Sequence, residues 1–222
     1  MSISKASRQS IFAKLAGLKP TGAFTSTEDQ RRPEPITRAM SQEQRTARFI
    51  ELLAASGAEI IRANKGQLGE AVADVLQKNQ VAQVVAEASH LVGTVMESIQ
   101  ALPDMKVELY DKDYSLLKPM LFEAGASISQ AVWGLSESGS LVTWSAPDRP
   151  RLISLVVPLH ICLIHESDIR ADLEELMDSE GWAGKMPTNI VLISGPSRTA
   201  DIELKITLGI HGPKKLAVVI VS

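Results

Sequence analysis

Ala58-Glu59-Ile60-Ile61, then Leu68, Val72, Val75 and Leu76, then Gln83-Val84-Val85-Ala86: the reading of this stretch decides the fold. Two short apolar runs enclose a segment whose apolar positions recur at helical spacing, so the order is strand, helix, strand. Asn64 stands where that helix needs a cap. Short strands alternating with longer helices imply βαβ units, and βαβ units imply an α/β fold: a mostly parallel sheet flanked by helices.

The pattern continues outward. Upstream, Ser41 with Gln44 forms a capping box, Phe49, Ile50, Leu52 and Leu53 make an apolar helical face, and Gly57 ends it. Downstream, Leu91 to Ile99 reads as a short helix and Lys106–Tyr110 as a third strand. Leu141–Trp144, Leu159–Ile164, Asn189–Ile193 and Leu216–Val221 read as further strands. Residues 126–135 are rich in small side chains and show no clear element. Ser167 is expected to cap a helix over Asp168 to Met177, with Asp168 and Asp172 in its favourable first turn.

Residues 1–39 differ from the rest. An amphipathic helix over 2–17 carries Ile11, Phe12, Leu15 and Leu18. A linker over 19–38, with Pro20, Pro33 and Pro35, is expected to order only where something holds it. The main domain is expected over 40–222.

Composition excludes several classes. With 222 residues, 45% apolar and only 4% aromatic, the chain builds its core from aliphatic side chains. A net charge of −3 gives no general attraction to phosphate backbones, so nucleic acid is not an expected partner. Cys162 is the one cysteine, and one thiol holds neither a disulfide nor an iron–sulfur cluster. No run of apolar residues is long enough to span a bilayer, and no secretory signal is legible, so a cytoplasmic protein is expected. His90, His160, His165 and His211 have no metal-ligand spacing, and no metal site is expected.

Chemistry gathers after the run ending at Ile193. Ser194-Gly195-Pro196-Ser197-Arg198-Thr199-Ala200-Asp201-Ile202-Glu203 breaks the strand and offers hydroxyls, a guanidinium and free N–H groups. Arg198 suits a carboxylate or phosphate, or else an internal ion pair with Asp201, Glu203 or Glu137. Ser197 and Thr199 serve the same ligand or cap the next turn. A short helical turn is expected over 199–204, although Ile202, Leu204, Ile206, Leu208 and Ile210 alternate as a strand would, and 205–210 stays undecided. His211, before Gly212 and Pro213, is a candidate proton carrier or a partner of nearby backbone.

Three segments together resemble a known family: Gly134-Leu135-Ser136-Glu137-Ser138-Gly139-Ser140, then Arg151 to Ile161, then Leu192 to Pro213. They are similar to the lactate utilization protein C family, with its LUD domain, from about residue 40 onward. The resemblance implies the fold shared by glucosamine-6-phosphate deaminases, ribose-5-phosphate isomerases and CoA transferases. It also implies a part in oxidising L-lactate to pyruvate beside two cysteine-rich iron–sulfur partner proteins, which hold the clusters; no cofactor is expected in this chain. Ser-Glu-Ser-Gly is similar to the Ser-Glu-Asn-Gly of CoA transferases, with Ser138 replacing Asn. On that likeness Glu137 is a candidate nucleophile or general base, or a partner of its own turn, and Gly139 a pocket residue. The expected pocket lies at the carboxyl ends of the parallel strands, where the loops at 134–140, 195–203 and 211–213 would meet.

Overall fold

Residues 215–221, Lys-Leu-Ala-Val-Val-Ile-Val, form the last strand, and every side chain from Leu216 to Val221 is at most 3% exposed. A strand buried on both faces belongs inside a parallel sheet. In the computed structural model it pairs in parallel with Glu59–Ala63 on one side and Leu159–His165 on the other. The structure describes residues 34–110, 114–146, 148–200, 206–209 and 211–222, with Lys14.

In chain order the helices are α1 (Gln42–Ala55), α2 (Leu68–Lys78), α3 (His90–Gly93), α4 (Met96–Gln100), α5 (Tyr114–Glu123) and α6 (Leu173–Ser179). The first six strands are β1 (Glu59–Ala63), β2 (Gln83–Glu87), β3 (Lys106–Tyr110), β4 (Ala126–Gln130), β5 (Trp133–Leu135) and β6 (Ser140–Trp144). Then come β7 (Leu159–His165), β8 (Ile169–Arg170), β9 (Ile190–Ile193), β10 (Arg198–Ala200), β11 (Ile206–Leu208) and β12 (Lys215–Val221). A six-stranded sheet runs β1-β12-β7-β4-β2-β3, and all of its pairings are parallel. A second sheet runs β8-β5-β6-β9, and β10 pairs antiparallel with β11. The expected α/β class with a mostly parallel sheet is what the chain adopts.

Each face of the large sheet has its own cover. Val84, Ala86, Ile128 and Ile161 pack beneath α2, α3 and α4. On the other face Cys162, Ile164, Val218 and Ile220 pack against Phe49 and Leu53 of α1 and Leu141 of the second sheet. Val85 meets Leu121 of α5 and Ile153 of the 151–154 turn on that same face. Among the described residues no helix is long and apolar enough to cross a membrane.

Several local expectations fail for identifiable reasons. Residues 126–130, read as featureless, form the fourth parallel strand, between β7 and β2. Their serines are satisfied from outside the ladder: Ser127 Oγ donates to Ile153 O, and Ser129 Oγ lies 2.8 Å from His160 Nε2. The helix expected from Asp168 starts at Leu173, because Ile169 and Arg170 are drawn into pairing with β5. Asp172 is its N-cap, accepting from Glu175 N at 2.9 Å. The helix expected over 91–99 is two short ones, and α5 was not anticipated at all. β9 is half-exposed rather than buried, being an edge of the second sheet. Residues 199–200 extend as strand instead of turning as helix, and 206–208, within the undecided stretch, form a strand paired with them. The expected helix at 2–17 and most of the linker lie outside the described residues.

The linker's last residues are held by the body. A compact unit runs from Pro35 to Ser222. After Pro35 comes a single 3-10 turn, Ile36–Ala39, and Arg38 grips Asp172 through Nε at 2.6 Å and a terminal nitrogen at 3.0 Å. Asp172 is 2% exposed, and this guanidinium holds its carboxyl below the ordinary carboxylate range. Replacing Asp172 with Ala should lower stability by about 2 kcal/mol at neutral pH, through the lost cap and the lost pair. A carboxyl depressed in the native state stabilises above its unfolded pKa, and that stability is lost as pH falls through the native value. Urea unfolding of wild type and Asp172→Ala should therefore converge at strongly acidic pH.

Candidate functional site

β2 and β4 lie side by side, yet the chain leaves them in opposite directions. From β2 it crosses under α3 and α4 to β3; from β4 it crosses the other face, through the second sheet, to β7. Adjacent parallel strands whose connections diverge leave a crevice at their carboxyl ends. Here it is open, ≈ 510 Å³, and lined by Ser89, His90, Gln130, Trp133, Asp148, Arg149 and Asp168 among others. Volumes of that order accept small-molecule ligands.

Arg149 is the cation at the centre. The loop that carries it is pinned by paired backbone bonds between Ala146 and Arg149 at 3.0 and 3.1 Å. Its guanidinium lies 4.0 Å from Asp148, and both side chains are substantially exposed, so the pairing is weak and leaves Arg149 available to an anion. Arg149 also borders a deeper gap of ≈ 10 Å³, shared with Glu87 and Ser129, which has room for about one water.

Glu87 ends β2 and is 3% exposed. Strand alternation turns it to the same face as Val85, toward the 151–154 turn and the end of β6 rather than toward α3. Burial pushes its carboxyl up to about 7, against the opposing pull of Arg149 and of bonds from the Gln130 backbone and the Ser89 hydroxyl. Oε1 has no hydrogen-bond partner among the described residues. A carboxyl so placed changes charge near neutral pH.

The neighbouring polar groups are quieter. His160 is fully buried, its Nε2 engaged by Ser129 and its Nδ1 unpartnered, and burial lowers its pKa to about 4, so it is neutral. Burial pushes the Cys162 thiol up to about 12, which leaves it an inert small hydrophobe. Trp133, Trp144 and Trp182 form one cluster with centroids 5.4 to 5.7 Å apart, and Trp133 borders the crevice. Among the described residues no group of His, Cys, Asp and Glu is arranged to hold a metal ion.

The residues singled out from the sequence lie elsewhere. The parts of the three loops that the structure describes do meet one another, but at the amino edge of the sheet. Ser197 N donates to Pro213 O at 2.9 Å, just before β12, and the Arg198 guanidinium donates to Ser56 O, just before β1. Ser138, Ser140 and Ser194 form a hydroxyl chain with spacings of 2.8 and 2.7 Å. Gly139 has φ +62, and a Cβ there would fall 2.5 Å from Leu52 Cβ; one on Gly195 would fall 2.5 Å from Ser56 Oγ. These contacts dock the loops on the end of α1. Glu137 is exposed in its turn, with its N–H donated to Ala171 O, and His211 is exposed. Thr199 pairs with Thr207 in the hairpin. Asp201 and Glu203 lie outside the described residues. The expectation that these loops meet at the carboxyl edge is corrected: their described parts bond to Ser56 and Pro213, beside the starts of β1 and β12 at the opposite edge.

Glu87, Gln130 and Arg149 were not anticipated. A faint signal was present, since Glu87 closes an apolar strand at the start of a βα turn, and Asp148-Arg149 sits between two prolines. Only the adjacency of β2 and β4 makes them one site.

Comparison with known proteins follows the fold. The model of the LUD domain matches residues 46–221. An uncharacterized protein of Neisseria meningitidis serogroup B, NMB1437, is 37% identical over 122 residues, or 53% of this chain and 52% of that one. The match thus spans about half the length of that relative. A protein of an Exiguobacterium species named lactate utilization protein C is 23% identical over 198 residues, covering 85% of this chain and 82% of that one. The crystal structure of a DUF162 family protein from Deinococcus radiodurans superposes with a TM-score of 0.60 at 19% identity, covering 82% of this chain and 99% of that one. It shares the fold.

The buried carboxyl has a consequence for stability that can be measured. A carboxyl raised from 4.5 to about 7 costs stability once the pH is high enough to ionise it in the unfolded chain. Glu87→Gln should therefore stabilise the protein by about 2 kcal/mol in urea unfolding well above neutral pH. The gain should vanish below the ordinary glutamate pKa, where Glu87 is neutral in both states.

Proposed function

This chain belongs to the LUD domain family, and on that premise we propose that it serves lactate utilization as an accessory component with a pocket for a small carboxylate. The oxidation of L-lactate to pyruvate is carried by electron-transfer partners, two cysteine-rich iron–sulfur proteins. The observation that carries the pocket is Arg149 facing an open crevice at the divergence of β2 and β4. A guanidinium there binds a carboxylate through two parallel bonds, and Gln130 and His90 border the same space with further polar atoms. Trp133 supplies an apolar wall for the rest of a small acid.

Three observations support the wider reading. A relative that matches most of the chain is named lactate utilization protein C. The single cysteine, Cys162, is buried in β7, which fits a system whose iron–sulfur clusters are held by partner chains. The carboxyl-edge position is also where open parallel sheets receive small ligands.

Deleting the protein should abolish or slow growth on L-lactate, and affinity purification from lactate-grown cells should recover cysteine-rich iron–sulfur proteins. Normal growth and no such partners would sink the assignment. In vitro, L-lactate or pyruvate should change the fluorescence of the tryptophan cluster. Arg149→Ala should weaken that binding about 10- to 100-fold with the melting curve unchanged, as expected for lost charge-assisted hydrogen bonds.

A further inference from the structure

Arg149 faces two ways, toward the open crevice and toward the gap that holds Glu87. We infer that the crevice takes its small monocarboxylate together with a proton, the anion settling on Arg149 and the proton on Glu87. This deepens the carboxylate-pocket reading and rests on it.

The argument is electrostatic and geometric. Glu87 is almost wholly enclosed, and its Oε1 has no hydrogen-bond partner among the described residues. What favours its charged form is chiefly Arg149, helped by the Gln130 N–H from β4 and the Ser89 hydroxyl from the turn into α3. Asp148, on the same loop as Arg149, opposes the charge. A carboxylate paired with Arg149 cancels the principal attraction on Glu87, and an anion as enclosed as Glu87 then becomes too costly to keep.

Among the described residues Arg149 is the one cation that acts on Glu87. On β7, His160 is neutral and the Cys162 thiol protonated at neutral pH. Arg151 borders the gap, while His90 and Asp168 border the crevice. The proton comes from solvent, and the gap has room for about one water to deliver it. No bond of the ligand is made or broken.

Linkage fixes the direction. Glu87 in the free protein titrates at about 7, and the bound anion moves it higher. Affinity therefore rises as pH falls from the bound value toward about 7, by at most about tenfold per pH unit, and levels off below.

Titration calorimetry of pyruvate into the full chain, just above neutral pH and in buffers of different ionisation enthalpy, counts the protons. The expected result is uptake approaching one proton per anion. Glu87→Gln should bind pyruvate with no uptake and with an affinity that does not change with pH, while His90→Gln should retain the uptake. Carbon-13 NMR of the Glu87 carboxyl should show its titration moving to higher pH on adding pyruvate.

Wild-type binding without proton uptake overturns the inference. So does uptake that persists in Glu87→Gln, or that disappears in a His90→Gln variant still binding pyruvate. If neither pyruvate, L-lactate nor acetate binds, the carboxylate-pocket reading fails first and this inference falls with it.

Discussion

A parallel sheet has no face that it can leave to water, and that constraint organises the whole chain. Its strands are joined by crossovers, so each face must be roofed by the segments that do the crossing. Here one roof is helical, from α2 to α4, and the other combines α1, the second sheet and α5. The two roofs part company between β2 and β4. The crevice is therefore a result of topology, and Glu87 and Arg149 are functional candidates because of where the roofs separate.

The roof made by the second sheet is seated by close backbone approach. Gly139 and Gly195 lie against the end of α1 where a methyl group would overlap Leu52 or Ser56. Arg198 adds a bond to the carbonyl of Ser56. The loop richest in apparent chemistry is thus, in its described part, engaged in holding α1 to the sheet. Beneath this roof runs a polar seam of Ser127, Ser129, His160 and Glu87, all buried. Such a seam is dearer than an aliphatic core, and proteins retain such groups chiefly where binding or chemistry needs them.

How much of this could be read from the sequence varies with locality. Strands of consecutive branched residues, such as Val84-Val85 and Val218-Val219-Ile220, were legible because their burial is written in each residue. The capping box of α1 was legible because it closes within one turn. β4 was not, since Ala126-Ser127-Ile128-Ser129-Gln130 looks like a loop until Ile153 and His160 satisfy its serines. The same limit hid the site. Glu87 reads as an ordinary strand-end carboxylate, and its raised pKa arises from neighbours that the chain supplies only later. The motif at 194–203 had the opposite fate, since its local chemistry was plain and its location was not.

The position of β12 bears on how such a chain is made. β1 and β7 both precede residues 215–221 in the chain, yet β1 joins the sheet only when that strand lies between them. A growing chain would therefore present two unfilled strand edges until residues 215–221 close them. The contiguous strands β7-β4-β2-β3 can pair as they are made, but β1 stays apart from them until β12 arrives. The six-stranded sheet is completed in one long-range step, when β12 enters between two strands made before it.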